Sequence, residues 1–325
     1  MAQPARVHTG VRDDFRKIAI LKFMKNERLL IWLGFMVISI VWGSTWLVIK
    51  IGLQSISPLL GAGLRFSVAS AVLLLIIKFR RLSIPFNPEA RKVYLALGLL
   101  SFGIPFGLVY WGQQFIPSSL SSILFAAYPF WVAVFSHLML REERLDIYKI
   151  VGVTVGFLGL VVIFAGDLHW SENGSLLGAA AVVCSTVLQA YSLVLIKKYG
   201  KPINPFVMNF VGMSVGCLIL LGLGLFLEAD RPINWNGSAI GSILYLGIVG
   251  SVLAFGTYFW LLKRIEAVYL SLTSFINPVV AVILGAIVLG EALNPAVFAG
   301  ATLVLIGILA ANGRYMHAKI RTSLW

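Results

Sequence analysis

Glu143-Arg144-Leu145, followed by Gly152, Thr154 and Gly159, and Glu291-Ala292-Leu293, followed by Gly300, Thr302 and Gly307, carry one pattern twice, 148 residues apart. The match runs backwards along the chain. Gly107, Trp111 and Pro129 stand 149 residues before Gly256, Trp260 and Pro278, and Ile49-Lys50 stands 147 before Ile196-Lys197. Offsets that drift by only one or two residues over most of the chain mark an internal duplication.

What lies between these landmarks fixes the kind of duplication. The 325 residues are 59% hydrophobic and only 12% charged, with a mean hydropathy of +0.92. That leaves too few charges to cover a water-soluble domain, so the chain reads as an integral membrane protein. Apolar segments occupy 29–49, 57–79, 93–114, 118–140, 147–165, 174–196, 204–227, 237–262, 267–289 and 295–313. Each is about the twenty residues needed to cross a bilayer core as a helix. Continuous runs such as Ala71 to Ile77 lack the alternation of a membrane β-barrel. The expected fold is an all-α membrane protein of ten transmembrane helices in two sets of five. The expected boundaries are a basic segment at 1–28, a first repeat at 29–166, a second at 167–313 and a basic tail at 314–325. The segment before the first span lacks an obvious cleavage site, so that span is expected to remain in the membrane. Phe15 to Met24 mixes basic and apolar residues, and either lies on the anionic inner leaflet or is disordered.

The basic residues orient these spans. Of 26 Lys and Arg, 23 fall before the first span, after the last, or in the even-numbered connections; the exceptions are Lys50, Arg231 and Arg65. Lys and Arg accumulate on the cytoplasmic side, which predicts both termini inside. The net charge of +13 is therefore mostly topology and membrane lipid contact, and no nucleic-acid partner is expected. Because five is odd, the second set must enter the membrane from the opposite face. Inverted repeats of this kind are a plan of secondary transporters, with a substrate site near mid-bilayer.

Trp42-Gly43-Ser44-Thr45, Leu64-Arg65-Phe66, the segments carrying Pro129 and Pro278, and the two Glu-x-Leu…Gly…Gly stretches resemble the paired EamA domains of the drug/metabolite transporter superfamily. The resemblance covers about 29–313. It implies two inverted five-helix EamA repeats in a bacterial inner membrane, moving small metabolites. Amino-acid export, aromatic amino acids included, is the best-known activity of bacterial branches, while drugs, sugars and nucleotide derivatives occur elsewhere. No cofactor is implied.

Polar groups inside the membrane carry the substrate question. None of the 13 acids lies mid-helix, so no proton-coupling carboxylate is visible and gradient-driven movement or exchange is expected. His137 and backbone carbonyls remain alternative coupling elements. Arg65 falls about 12 Å inside the second helix. It suits a substrate carboxylate, which a guanidinium holds with two hydrogen bonds, but since the resembled family has an Arg here whatever the substrate, a structural or gating role is the preferred expectation. Trp42 and Trp46 share one face of the first helix with Thr45 nearby, and Phe106, Tyr110 and Gln114 continue a stripe on the third. The second copy contributes Gln189, Tyr191, Tyr258 and Asn277. These candidates suit an apolar or aromatic side chain with polar groups for its backbone part, against the plainer reading of packing and interfacial belts.

Pro129 and Pro278, each preceded by Ser or Thr residues, predict matched kinks in the fourth and ninth helices. The glycines of the fifth and tenth helices predict close scaffold packing, with a homodimer contact as the alternative use of the same faces. Glu143 and Glu291 read as structural helix-start carboxylates. Cys184 and Cys217 lie within spans, the four histidines lack metal-ligand spacing, and no phosphate-binding glycine loop is present. No clustered nucleophile, base or metal set suggests an enzyme. A channel would explain the missing carboxylate but calls for a continuous polar lining.

Overall fold

The computed structural model describes residues 9–116, 118–140, 146–164, 175–231, 233–289 and 295–311. Glu143 and Glu291 lie outside the described residues. Helix α1 (Thr9–Leu53) extends well ahead of the apolar run, so Phe15 to Met24 continues the first helix. It is followed by α2 (Pro58–Phe79), α3 (Pro88–Gly112), the broken pair α4 (Ser118–Phe125) and α5 (Tyr128–Met139), and α6 (Ile147–Phe164). The second unit repeats the order: α7 (Ser175–Tyr199), α8 (Pro205–Leu227), α9 (Gly237–Leu262), the broken pair α10 (Ala267–Ser271) and α11 (Thr273–Leu289), and α12 (Pro295–Ala311). Six of these helices are long and apolar enough to cross a membrane, and the other four spans are shorter or interrupted. Together they form a ten-span helical bundle whose outer surface exposes Leu29, Trp32, Met36, Phe79, Leu218 and Phe226 to lipid.

The interruptions depart from the predicted matched kinks. Span four breaks at Ala126 and Ala127, and Pro129 sits in the first turn of the new helix α5, where its missing N–H costs nothing. Span nine breaks at Leu272, six residues ahead of Pro278, which is carried inside α11. At that break Ser271, Thr273 and Ser274 donate to the carbonyls of Val268 (2.6 Å), Leu270 (2.8 Å) and Ser271 (2.9 Å). The hydroxyls take up carbonyls that the interrupted helix would leave bare in a medium without water. Proline position was thus the wrong guide to where the chain bends in the second unit.

The repeat extends into the backbone. Both α3 and α9 start on an asparagine cap, Asn87 to Ala90 N and Asn236 to Ala239 N, each at 2.8 Å, and the two caps are 149 residues apart. Each then passes through π-helical turns, Gly98–Gly103 and Tyr245–Leu253, at matching register. Each π segment lies against the neighbouring unit. A Cβ on Gly98 would come 2.5 Å from Val215, and one on Gly247 would come 2.9 Å from Val68, residues again 147 apart.

The tightest crossing joins α6 and α12. A Cβ on Gly152 would meet the Gly307 carbonyl at 2.6 Å, and one on Gly159 would meet the Gly300 carbonyl at 2.6 Å. Since Gly152 corresponds to Gly300 and Gly159 to Gly307, the contact maps onto itself when the units are exchanged. Equivalent residues also fall at opposite ends of the bundle. Lys197 shares a vestibule with Ile31 and Trp32 at the beginning of the apolar part of α1, whereas Lys50 lies at the end of that helix.

Candidate functional site

Seven of the ten spans meet around a cavity of about 90 Å³. Trp42, Thr45, Trp46 and Ile49 come from α1, Arg65 from α2, Ser101, Phe106 and Val109 from α3, and Phe125 and Tyr128 from the broken fourth span. The second unit adds Gln189, Leu193 and Ile196 from α7, Phe255, Tyr258 and Phe259 from α9, and Asn277 from α11. The packing that makes this wall is largely aromatic. Trp42 lies 5.0 Å from Phe255 and 4.9 Å from Tyr258 between ring centroids, and Trp46 lies 5.6 Å from Phe125. Tyr128 stacks on Phe125 at 5.5 Å and meets the hydroxyl of Tyr258 at 3.0 Å. Such tilted ring pairs bury large apolar area in fixed geometry and leave the phenolic groups to satisfy each other.

Arg65 is the one cation in this wall, and it is 2% exposed. Its Nε donates to Ser251 Oγ at 2.8 Å and its Nη2 to the Gly250 carbonyl at 3.1 Å. Both acceptors belong to the π turn of α9. Wide turns leave carbonyls without an ordinary helical partner, and the Gly250 carbonyl also accepts from Trp42 Nε1 at 3.3 Å. Ser251 in turn donates to the Leu246 carbonyl at 2.8 Å, so its hydroxyl is held in place to receive Arg65. The guanidinium stands 4.9 Å from the Phe106 ring and 5.5 Å from that of Phe66. Two of its five N–H groups are used by protein acceptors, and no acidic side chain lines the cavity among the described residues.

Below this cavity is a wider vestibule of about 1100 Å³, and Ile196 and Phe259 line both spaces. Among the described residues, Lys197, Lys198, Lys201, Lys263 and Arg264 line it together with one carboxylate, Glu266. Lys197 donates to the Leu262 carbonyl at 2.6 Å and to that of Ile265, closing the last turn of α9. Lys263 donates to the Ile203 carbonyl, and its ammonium is held below the usual lysine range first by burial and then by the neighbouring Arg264. Glu266 pairs with Lys149 at 2.6 Å. At the far end Lys50 donates to the Gln113 carbonyl at 3.3 Å, the counterpart of the Lys197–Leu262 contact one repeat earlier.

The sequence matches the EamA-like transporter family twice, over residues 29–165 and 176–313. The chain belongs to that family. It is 29% identical to the uncharacterized transporter YoaV of Bacillus subtilis, over 89% of this chain and 99% of the relative. PagO of Salmonella typhimurium is 29% identical over 80% of this chain and 85% of its own. The uncharacterized inner membrane transporter YedA of Escherichia coli K12 is 29% identical over 85% and 89%. A crystal structure superposes with a TM-score of 0.73 at 21% identity, covering 87% of this chain and 98% of its own, a likeness of fold alone. The protein is a multi-pass membrane transporter and not an enzyme.

Eight of the eleven sequence candidates, Trp42, Thr45, Trp46, Arg65, Phe106, Gln189, Tyr258 and Asn277, converge on the central cavity. Tyr110 is buried just outside it, lining a much smaller space with Ile49 and Leu246. Gln114 lies at the exposed end of α3, where its Oε1 accepts from Arg231 at 3.0 Å. Tyr191 faces outward against Phe135 at 5.4 Å. Sequence reasoning missed Ser101, Phe125, Tyr128 and Phe255. Repeat arithmetic would have found two of these, since Tyr128 is 149 residues before Asn277 and Phe255 is 149 after Phe106. Of the remaining polar residues, His137 is exposed on the last turn of α5, and Glu228 accepts from Leu59 N and Leu60 N, a carboxylate on the positive end of α2.

Proposed function

We propose that this transporter moves an apolar or aromatic amino acid outward across a bacterial inner membrane by alternating access between inverted repeats, as facilitated diffusion or exchange. The observation that carries this reading is Arg65, a fully buried guanidinium with N–H groups to spare, in an aromatic cavity between the two units. The substrate carboxylate takes the free edge of Arg65. Asn277, whose Oδ1 is buried without a protein partner, and Gln189 receive the amino group, and the Trp42, Trp46, Phe106 and Phe255 rings surround the side chain. At about 90 Å³ the cavity has room for a handful of waters, well under the ~300 Å³ of a typical ligand pocket, so the spans draw apart to admit substrate.

The positive-inside bias assigns the Lys197 end to the cytoplasm and places both termini there. The vestibule then opens inward and its five cations concentrate carboxylates at the entrance, a field that opposes lipophilic cations. Ile196 and Phe259 are an apolar divide between vestibule and cavity, which favours a carrier over a channel with a continuous polar lining. The missing acid in the cavity supports movement without proton coupling. A thermal-shift screen of purified protein against amino acids, nucleosides, sugars and lipophilic cations, then liposome flux with each hit, tests the reading. Stabilisation and saturable flux by apolar amino acids are expected; stabilisation by lipophilic cations alone, or substrate-driven proton movement, would contradict it.

A further inference from the structure

Arg65 brings a full positive charge into the middle of the bundle without bringing a counter-charge. An arginine stays protonated in proteins, so the charge cannot be relieved by losing a proton. Its partners are neutral: the Ser251 hydroxyl, the Gly250 carbonyl, the neighbouring buried hydroxyl of Tyr110 and two aromatic faces. Among the described carboxylates, Glu228 is engaged with the first turn of α2, Glu266 with Lys149, Glu27 with Arg264 and Asp146 with the backbone of Lys149. Among the described residues that line the cavity, the second unit offers no balancing carboxylate either. The equivalent of Arg65 is Gly212, which packs outside the cavity, where even a Cβ would come 2.5 Å from Leu97. Burying a charge costs several kcal/mol, which these neutral partners offset in part and an anion from outside the protein would offset further.

We infer that, when no substrate is bound, a small monovalent inorganic anion such as chloride occupies the cavity against the free N–H groups of Arg65, and that the substrate carboxylate displaces it. Three observations beyond the guanidinium fit this site. The cavity volume suits a small ion with a few waters and not an amino acid in this geometry. Asn277 is 4% exposed, lines the same space and has an unpartnered amide oxygen. Because an amide offers a donor at one end and an acceptor at the other, the same side chain can turn its NH₂ to an inorganic anion and its oxygen to a substrate ammonium. Among its described lining residues the adjoining vestibule has five cations and one carboxylate, a balance that favours anions at the side from which the cavity fills. The displacement step rests on the amino-acid reading above; the anion site itself does not.

The test uses the full chain purified in sodium gluconate and titrated with sodium chloride at constant ionic strength. The expected result is a saturable rise of several degrees in the unfolding temperature, lost in Arg65→Gln. Equal unfolding temperatures in chloride and gluconate would overturn the proposal, as would an undiminished chloride response in Arg65→Gln. Should that variant not fold, iodide quenching of the wild-type protein decides. Trp42 and Trp46 line this cavity, whereas Trp32 and Trp235 are exposed, so quenching should contain a saturable part, competed by chloride, above a linear collisional part. A purely linear response, or one matched by caesium, would contradict the site. For a carboxylate hit, chloride at ten times its dissociation constant should weaken apparent affinity about eleven-fold. Substrate affinity indifferent to bound chloride refutes displacement alone, and chloride binding without any carboxylate binder refutes the amino-acid reading while leaving the anion site standing.

Discussion

Where α6 crosses α12 the two repeats are interchangeable, and where α2 packs on the π turn of α9 and α8 on that of α3 they are not. At the crossing, Gly152 meets Gly307 and Gly159 meets Gly300, so exchanging the units returns the same contact. In the middle, Arg65 stands in one unit and Gly212, closed in by Leu97 and Phe102, in the other. The difference separates two tasks. A scaffold that reads the same from either side can support two related arrangements of the bundle, while Arg65 gives the central cavity a charge that the equivalent position of the other unit lacks.

The largest effect is expected on the symmetric side. Gly307→Leu forces a side chain into the backbone of α6, where a Cβ already falls 2.6 Å from the Gly152 carbonyl, and should cost about 3 kcal/mol or more of stability. Thermal unfolding in detergent measures it. Gly159→Leu should cost a similar amount, because Gly159 is the counterpart of Gly307 and the crossing maps onto itself. A large difference between the two would show that the repeats are less equivalent there than their contacts indicate.

On the asymmetric side, Arg65→Gln should weaken binding of a carboxylate substrate roughly ten- to a hundred-fold, the range for losing a charge-assisted contact of about 1.5–3 kcal/mol. Arg65→Lys keeps the charge but not the two-pronged geometry, and should retain flux with an intermediate loss of affinity. An amide analogue of the substrate, lacking the carboxylate charge, should barely distinguish the variants from wild type in the same binding assay. If carboxylate and amide respond alike, Arg65 acts through the π turn at Gly250 and Ser251 and not through substrate. Tyr258→Phe removes only the 3.0 Å contact with Tyr128, and a loss of about 1 kcal/mol in stability or affinity is expected.

This contrast also marks what could be read from the residues in order. The ten spans were legible because bilayer thickness imposes segment length, and the duplication because its punctuation recurs at a constant offset. Eight cavity residues were legible because polar and aromatic groups are conspicuous in an apolar helix. The acceptors of Arg65 were not, since Gly250 and Ser251 lie 185 and 186 residues away and become available only through a π turn that no periodicity announces. Gln114 and Tyr191 misled for a related reason. Each shares a helix with true cavity residues, but the face that turns inward depends on where the helix ends or widens, and Gln114 already belongs to the turn after α3. The break at Leu272 was invisible to a rule based on proline alone.

The smallest effects should come from the two lysines that close the repeat's ends, and they compare the ends most directly. Lys197 donates to two carbonyls beyond the last turn of α9, and its counterpart Lys50 donates to one at 3.3 Å beyond α3. A cation there satisfies carbonyls that the helix leaves bare and complements its negative end. Lys197→Met should therefore lower stability by about 1 kcal/mol and Lys50→Met by roughly half that, measured side by side as unfolding temperature. The direction of the accessible state adds a second readout. Weakening the Lys197 end should raise labelling of a cysteine placed in the vestibule, and weakening the Lys50 end should raise labelling from the other face. If both variants moved accessibility the same way, the lysines would be simple helix caps, and the inversion of the repeat would carry no mechanical consequence at these positions.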